Sequence, residues 1–341
     1  AVIPQNAPTS VPEGNTRLMI SDNPENLNEY SIPNEIATLW QDKVNEEEDI
    51  IEHIVFGYHK NQFDSPVLVG ITIENLSKEN DIELVNPRGV ARYTSRDWGI
   101  YDVGLRLAEL SISDLLPLIT MTYLVIKPGE SQVIDYFYVN TDNLVSFQHQ
   151  LKVKKKSGSG KLNYIIRTVV SKNDEISLDS IKDDPLPLDP YRRHPRGTWP
   201  FARLVTELPR YEAGTYQTAY SISNGLTDNI FSAETSFGRE YGTIGNIGHY
   251  GVINKIKIPI ANYTGSSKTI HIRLNPRGGR CGAAVKTNEG FFTVPEMSSK
   301  EITKIIEYVL EDGKEELIEF EITNAGGSSL PIAINIITLE E

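Results

Sequence analysis

Cysteine is almost absent from this chain of 341 residues. Cys281 is the only one, so neither an intrachain disulfide nor a multi-cysteine metal site can form. Long apolar runs are missing as well. The longest uncharged apolar stretch, 115–126, contains Pro117 and is shorter than the ~20 residues that a membrane helix requires. We therefore expect no membrane span.

Positive charge is scarce. Lys and Arg number 33 against 46 Asp and Glu, which gives a net charge of −13. Such a surface repels phosphate backbones, so the composition argues against a nucleic-acid partner. The hydrophobic fraction of 39% and the charged fraction of 23% are those of a folded globular protein.

Familiar catalytic motifs are missing too. There is no HExxH sequence, no Gly-x-Ser-x-Gly elbow and no phosphate-binding loop. We therefore expect a protein that is not an enzyme, and we interpret its histidines as structural. The histidines are His53, His59, His149, His194, His249 and His271. A glycoside hydrolase, which needs two facing carboxylates in a cleft, is the remaining enzymatic alternative.

Turn residues and β-forming residues dominate what is present. The 25 glycines and 19 prolines separate short runs rich in Val, Ile, Thr and Tyr, a pattern typical of all-β proteins. The clearest predicted strands are 67–74, 133–139, 164–170, 255–260, 269–274 and 332–339. Little helix is expected, apart from a short one at 112–118. We predict a strand at 300–310, followed by a hairpin turn at Asp312 and Gly313.

An internal repeat is the strongest single feature. Segments 71–89 and 258–278 align Asn75 with Asn262, and both end in Asn-Pro-Arg-Gly. Copies of this size predict two tandem β-sandwich domains related by the repeat. The expected organisation is an extended N-terminal arm at 1–15, a first sandwich at 16–172, a Pro/Asp-rich linker at 173–200 and a second sandwich at 201–341.

Two groups of residues are candidate ligand contacts. Arg88 and Arg277 lie in the repeated Asn-Pro-Arg-Gly sequences, which either form type I turns or present the two cations to an anionic ligand. Tyr93, Trp98 and Tyr101 lie close together in sequence and have the aromatic faces that stack on sugars.

No cofactor is expected, although Ca²⁺ is left open. Four aspartates near the linker offer the oxygen ligands that calcium prefers, but not at EF-hand spacing. They are Asp179, Asp183, Asp184 and Asp189.

Several segments resemble a family of poorly characterised secreted proteins of Gram-positive bacteria. Those proteins often carry a separate stalk module called a copper amine oxidase N-terminal-like domain. The segments that carry the resemblance are 17–25, 196–200, 245–246, 250–252 and 275–279. The resemblance implies a secreted or cell-surface location. It transfers no catalytic residue, and the stalk module is not visible in this sequence.

We therefore expect a non-enzymatic extracellular structural protein that associates with itself, for example as a cell-surface or filament subunit. The chain begins Ala-Val-Ile-Pro without an initiator methionine, which also favours export. The arm at 1–15 is expected to pair as an added strand, with a sheet of its own chain or of a neighbour. The alternative is a module that binds polysaccharide or cell wall.

Overall fold

The computed structural model describes residues 2–96 and 99–340. This part of the chain is almost entirely β-structure. The strands of its first half are β1 (Gln5–Asn6), β2 (Val11–Glu13), β3 (Arg17–Ser21), β4 (Asn26–Leu27), β5 (Ile36–Glu46), β6 (Ile50–Asn61), β7 (Val67–Asn75), β8 (Asp81–Leu84), β9 (Arg88–Thr94), β10 (Val125–Ile126), β11 (Ser131–Val139), β12 (Leu144–Ser157) and β13 (Leu162–Ser171).

The strands of its second half are β14 (Arg196–Trp199), β15 (Arg203–Glu207), β16 (Tyr211–Glu212), β17 (Thr218–Ile222), β18 (Ile253–Asn262), β19 (Lys268–Pro276), β20 (Cys281–Thr287), β21 (Gly290–Met297), β22 (Thr303–Leu310), β23 (Lys314–Asn324) and β24 (Ile332–Thr338). One α-helix, α1 (Leu105–Ile112), follows a π-helical turn at Ile100–Gly104. Single 3₁₀ turns lie at Leu178–Ser180, Ala233–Thr235 and Arg239–Tyr241.

The strands form four sheets. An eight-stranded sheet has the order β10-β8-β12-β6-β3-β14, with β9 beside β12 and β4 beside β6, and a four-stranded sheet has the order β11-β7-β13-β5. A seven-stranded sheet has the order β2-β15-β18-β23-β20-β21, with β16 beside β18, and a five-stranded sheet has the order β1-β17-β24-β19-β22.

Two apolar cores lie between pairs of these sheets. One core combines Val55 and Phe147 of the eight-stranded sheet with Val69 and Ile166 of the four-stranded sheet. The other combines residues of the seven-stranded and five-stranded sheets in the same way, among them Ile256, Phe320, Ile270 and Ile334. Alternating strand residues that bury one face against a second sheet make a β-sandwich. The predicted all-β sandwich fold is therefore confirmed.

The edge strands of the two sandwiches are exchanged along the chain. Strand β2 immediately precedes β3 in sequence, but it pairs with β15, with Val11 opposite Val205. Strand β14 immediately precedes β15, but it pairs with β3, with Trp199 opposite Leu18. Strand β2, which is next to the first sandwich in sequence, thus completes the second sandwich. Strand β14, which is next to the second sandwich in sequence, completes the first. Strand β1 also joins the second sandwich, because it pairs with β17 of the five-stranded sheet.

The helix also joins the two sandwiches. The short helix predicted at 112–118 is wrong, because α1 occupies Leu105–Ile112 and ends where the prediction began. Its apolar residues, rather than a serine cap, determine its position. Leu105 packs on Ala325, and Ala108 and Ile112 pack on Ala284 of the seven-stranded sheet.

The strand prediction at 300–310 is confirmed by β22, but the hairpin predicted at Asp312 and Gly313 is wrong. Strand β22 pairs with β19 and strand β23 pairs with β18, so the turn crosses from one sheet to the other. Gly313 has a φ of 76°, a left-handed conformation that glycine adopts readily. The turn residues were recognised, but their sequence does not distinguish a hairpin from an arch between sheets.

The repeat alignment is displaced by one strand. Asn75 ends β7 of the four-stranded sheet, whereas Asn262 ends β18 of the seven-stranded sheet. The two asparagines look alike because they make the same turn. The Oδ1 of Asn75 accepts from the Ser77 amide at 3.0 Å, and that of Asn262 accepts from the Thr264 amide at 3.1 Å. Asn61, at the end of β6, makes the same bond to the Phe63 amide at 2.8 Å. The similarity of these segments therefore reflects a recurring strand end.

The linker predicted at 173–200 is only partly a connector. Its last residues form β14, whose four residues are all buried. Two side chains explain this: the aromatic ring of Trp199 is fully buried, and the buried hydroxyl of Thr198 accepts a hydrogen bond from Trp40 Nε1 at 3.0 Å. We use "connector" below for the remainder, 173–195.

Candidate functional site

The residues predicted as ligand contacts do not form one site. The Nη1 of Arg88 donates to the Leu116 carbonyl at 3.0 Å, whereas Arg277 follows β19 in a different sheet and is exposed. The predicted type I turns are also wrong. Arg88 begins β9, whereas the asparagine and proline of the second copy are the last residues of β19. In the first copy a strand begins at the arginine, and in the second copy a strand ends at the proline. The same four-residue sequence therefore adopts two different structures.

The two described members of the predicted aromatic group lie on separate segments. Tyr93 lies on β9 and Tyr101 lies in the π-helical turn, and both are exposed. Trp98 lies outside the described residues. Tyr93 borders only a shallow depression beside Arg96 and Asp102.

A cleft lies where the two sandwiches meet. Its volume is about 750 Å³. The first sandwich contributes Asp22, Glu25 and Tyr58, the connector contributes His194, and the second half contributes Tyr250 among other residues. Clefts between domains are common positions for ligand sites.

Three side chains that can bind a cation converge in this cleft. The Nδ1 of His194 lies 2.9 Å from Glu25 Oε2 and 3.9 Å from Asp22 Oδ2. One ligand atom of each residue lies within 4.8 Å of the others. Within 2–96 and 99–340, no other three His, Cys, Asp or Glu residues come this close. The four linker aspartates, the predicted calcium cluster, therefore do not assemble in that part of the chain.

Strand pairing explains why these distant residues meet. Strands β3 and β14 run antiparallel, with Ser21 opposite Arg196, so the residues just beyond this pair face each other. The backbone amide of Asp22 donates to the Pro195 carbonyl at 3.2 Å. The side-chain amide of Asn23 then holds the connector in place. Its Nδ2 donates to the His194 carbonyl, and its Oδ1 accepts from the backbone amide of Asp189 at 2.9 Å.

The two carboxyl groups are in different electrostatic states. Burial, together with the neighbouring Glu25, raises the pKa of Asp22 well above its ordinary value. Burial also acts to raise the pKa of Glu25, but the hydrogen bond and charge of His194 outweigh it, so the pKa is lowered. Glu25 is therefore the ionised partner of His194, and Asp22 is the carboxyl group without a cationic partner of its own.

Two buried oxygen atoms of residues that line the cleft have no hydrogen-bond partner. They are Oδ1 of Asp22, a residue only 5% exposed, and Oδ1 of Asn229 in the second half. Both residues line the cleft. Buried polar atoms are normally paired, so unpaired acceptors are a feature that a bound cation or water satisfies.

A second polar cluster, inside the first sandwich, is enclosed. Asp42 accepts two hydrogen bonds from Arg17, and its Oδ2 lies 3.2 Å from His53 Nδ1. The Nε2 of His53 lies 2.7 Å from the hydroxyl of Tyr164. These side chains are buried. The Arg17 guanidinium and the hydrogen bond from His53 hold the pKa of the Asp42 carboxyl well below its usual range. Burial acts against ionisation, but these partners prevail. This cluster fits a structural role.

Sequence reasoning missed Asp22, Glu25 and His194. No spacing motif links the two carboxylates to His194, because it is the β3–β14 pair that brings His194 to them. One signal was present: the segments 17–25 and 250–252, which carry the family resemblance, contribute Asp22, Glu25 and Tyr250 to the cleft.

Comparison with known proteins gives no family. No protein-family model and no curated protein matches this chain. Among solved structures, the CupB6 tip adhesin of Pseudomonas aeruginosa is 9% identical, over 89% of this chain and 96% of that one, with a TM-score of 0.17. The PBSX exported protein XepA is 9% identical, over 88% of this chain and 86% of that one, also with a TM-score of 0.17.

The insecticidal crystal protein Cry2Aa is 13% identical over 53% of this chain, with a TM-score of 0.18, and this chain spans 27% of its length. TM-scores this low carry no argument about function. No helix in the described part of the chain is long and apolar enough to cross a membrane.

Proposed function

We propose that the protein is a non-enzymatic extracellular structural protein, a subunit of a cell-surface or filament assembly. The observation that supports this most is the exchange of the edge strands β2 and β14. Two sandwiches joined by hydrogen-bonded strands in both directions separate only if both strand pairs break. The β3–β14 pair would keep the two sandwiches of one chain together even when β2 pairs with the sandwich of a neighbouring chain.

The arm at 1–15 supplies a means of joining subunits. In the single chain, its strands β1 and β2 cover the edges of β17 and β15. These contacts are backbone hydrogen bonds to a strand edge, so they are equally available to the arm of another chain. We propose that arms remain in their own chain when the protein is dilute and exchange between chains in the assembly.

Negative-stain electron microscopy and light scattering of the native, concentrated protein test this proposal. Ordered filaments or sheets are the expected result. Deleting residues 1–13 removes β1 and β2 and should abolish them, whereas deleting only 1–4, before β1, should not. A uniform monomer of 38.2 kDa at all concentrations would contradict the proposal.

The second candidate is a module that binds polysaccharide, and one feature of strand β11 favours it. Tyr136 and Tyr138 are 64% and 52% exposed, while Phe137 between them is buried. The two tyrosines therefore lie on one outer face, about 7 Å apart along the strand. Adjacent exposed rings of this kind stack on successive sugars of a chain.

Retention on a panel of insoluble glycans tests the second candidate. A Tyr136→Ala, Tyr138→Ala double variant should lose retention, and Tyr30→Ala, at a 71% exposed tyrosine elsewhere, should keep it. If the wild-type protein is retained on no glycan, the candidate fails.

A further inference from the structure

We propose that Asp22, Glu25 and His194 form a binding site for one divalent transition-metal cation, for which zinc is the best-fitting ion. The inference rests on the cleft geometry and stands independently of the structural role proposed above.

The distances between the ligand atoms fit such an ion. Around a tetrahedral zinc with bonds of roughly 2.0–2.2 Å, neighbouring ligand atoms lie about 3.4 Å apart. The 2.9 Å and 3.9 Å separations of His194 Nδ1 from the two carboxylates lie on either side of this value. Shifts of about half an ångström in the half-buried side chains of Glu25 and His194 would complete the arrangement.

Unpaired oxygen atoms supply a separate reason for a cation. Asp22 lines a cleft of about 750 Å³, and its Oδ1 is buried without a hydrogen-bond partner. An unpaired carboxylate oxygen beside a second carboxyl group is unfavourable, because like charges repel and burial removes water. A divalent cation removes both costs. Asn229 lines the same cleft, and its unpaired Oδ1 is a further, neutral oxygen.

The donor set selects the class of ion. One imidazole nitrogen with two carboxylates suits zinc and similar transition metals, whereas calcium prefers six or more oxygen atoms. Three protein ligands leave a fourth position open for water or for a group that enters the cleft.

Binding would connect separate parts of the chain. Asp22 follows β3, Glu25 precedes β4, and His194 lies in the connector just before β14. A cation held by all three would fix the connector against the first sandwich, at the entry to the exchanged strand β14. The bound ion would therefore stabilise the β3–β14 pair.

Isothermal titration calorimetry with ZnCl₂ on the tag-free full chain, after dialysis against EDTA, tests this inference. We expect one zinc per chain and an increase in the melting temperature. Asp22→Asn, Glu25→Gln and His194→Gln should each weaken binding by more than about tenfold. CaCl₂ at the same concentration should bind more weakly than zinc.

His271→Gln is the matched control. His271 also pairs with a glutamate, Glu307, at 2.8 Å, but without a third ligand. This variant should bind zinc as the wild-type protein does. Because His194 is partly exposed, His194→Gln should keep the fold, which circular dichroism checks. No zinc binding by the wild-type chain, or equal binding by His194→Gln and wild type, would overturn the inference.

Discussion

The guanidinium of Arg196 lies over the ring of Trp40, with its carbon 4.9 Å from the ring centroid, and both side chains are fully buried. The described contacts of this cation are with backbone carbonyls rather than with a carboxylate. It donates to the carbonyls of Asn23, Leu39, Leu186, Tyr241 and Gly242. Burial lowers the pKa of Arg196 to about 10, so it is still cationic at neutral pH. This one side chain thus fastens β14 to four other segments.

Replacing Arg196 should therefore destabilise the whole protein. In Arg196→Met, several buried carbonyls lose their donors, and we expect the free energy of unfolding in urea to fall by about 3 kcal/mol. Arg196→Lys should also be destabilising, because one ammonium cannot reach carbonyls spread across a guanidinium fork.

Arg210→Met is the control for Arg196. Arg210 bridges Glu212 and Glu315 at 3.0 Å and 2.9 Å on the surface, and removing such a pair should change stability by less than about 1 kcal/mol. Equal effects of Arg196→Met and Arg210→Met would contradict the role given to Arg196.

The contact between the helix and the second sandwich predicts an asymmetric pair of glycine substitutions. Gly104 has helical angles, φ −63° and ψ −44°, but a Cβ there would lie 2.2 Å from the Gly326 carbonyl oxygen. Gly104→Ala should therefore destabilise the protein by about 1–3 kcal/mol, although alanine is normally preferred in helices. A Cβ on Gly326 would meet its nearest atom, Phe56 Cζ, at 3.5 Å. Gly326→Ala should be tolerated, and urea unfolding of the two variants would show whether this difference exists.

Buried His59 predicts a loss of stability in mild acid. Its Nδ1 lies 2.8 Å from the Pro24 carbonyl and so carries the proton, which leaves Nε2 to accept from Ser21 Oγ at 3.1 Å. Burial lowers the pKa of His59 to about 4, whereas the unfolded value is about 6.5. The contribution of neutral His59 to the free energy of unfolding is therefore fully present above pH ~6.5. It falls as the pH drops towards 4, because in this range the unfolded chain binds the proton and the folded chain does not.

Between pH 7 and pH 5, protonation linked to His59 should lower the free energy of unfolding by about 2 kcal/mol. Buried His53 and His249, whose pKa values burial also lowers, add to the loss in the same direction. The comparison is consequently between the variant and wild type: the free energy of unfolding of His59→Gln should fall by about 2 kcal/mol less than that of wild type over this range. An unchanged pH dependence in His59→Gln would show that His59 is not neutral in the folded protein.

The sequence predicts several of the long strands but little of the topology. Alternation and turn residues predicted β7, β11, β13, β18, β19 and β24 because strand periodicity is local. The exchange of β2 and β14 depends on contacts between residues nearly 200 positions apart, such as Leu18 with Trp199. Local patterns cannot carry that information.

The same limit applies to the cleft. Asp22, Glu25 and His194 have no characteristic spacing, so they become visible as a group only after β3 pairs with β14. The prediction of Arg88 rests on a repeated sequence, and that of Tyr93 rests on neighbouring aromatic residues. The structure instead uses Arg88 in a backbone contact with Leu116.

A designed disulfide tests the central claim, arm exchange between chains, most directly. Val11 and Val205 are opposite each other in an antiparallel pair, at a Cα separation of about 4.5–5.5 Å that a disulfide can span. Cys281 will not compete, because it is buried and burial raises the pKa of its thiol to about 11. We therefore expect a Val11→Cys, Val205→Cys variant to form one defined bond.

The measurement is non-reducing gel electrophoresis of this variant, oxidised once as dilute monomer and once as the concentrated assembly. The account predicts a single monomer band from the dilute sample and a ladder of covalent multimers from the assembly. Monomer alone from an assembly that electron microscopy shows to be ordered would contradict it, because the arm would then stay in its own chain.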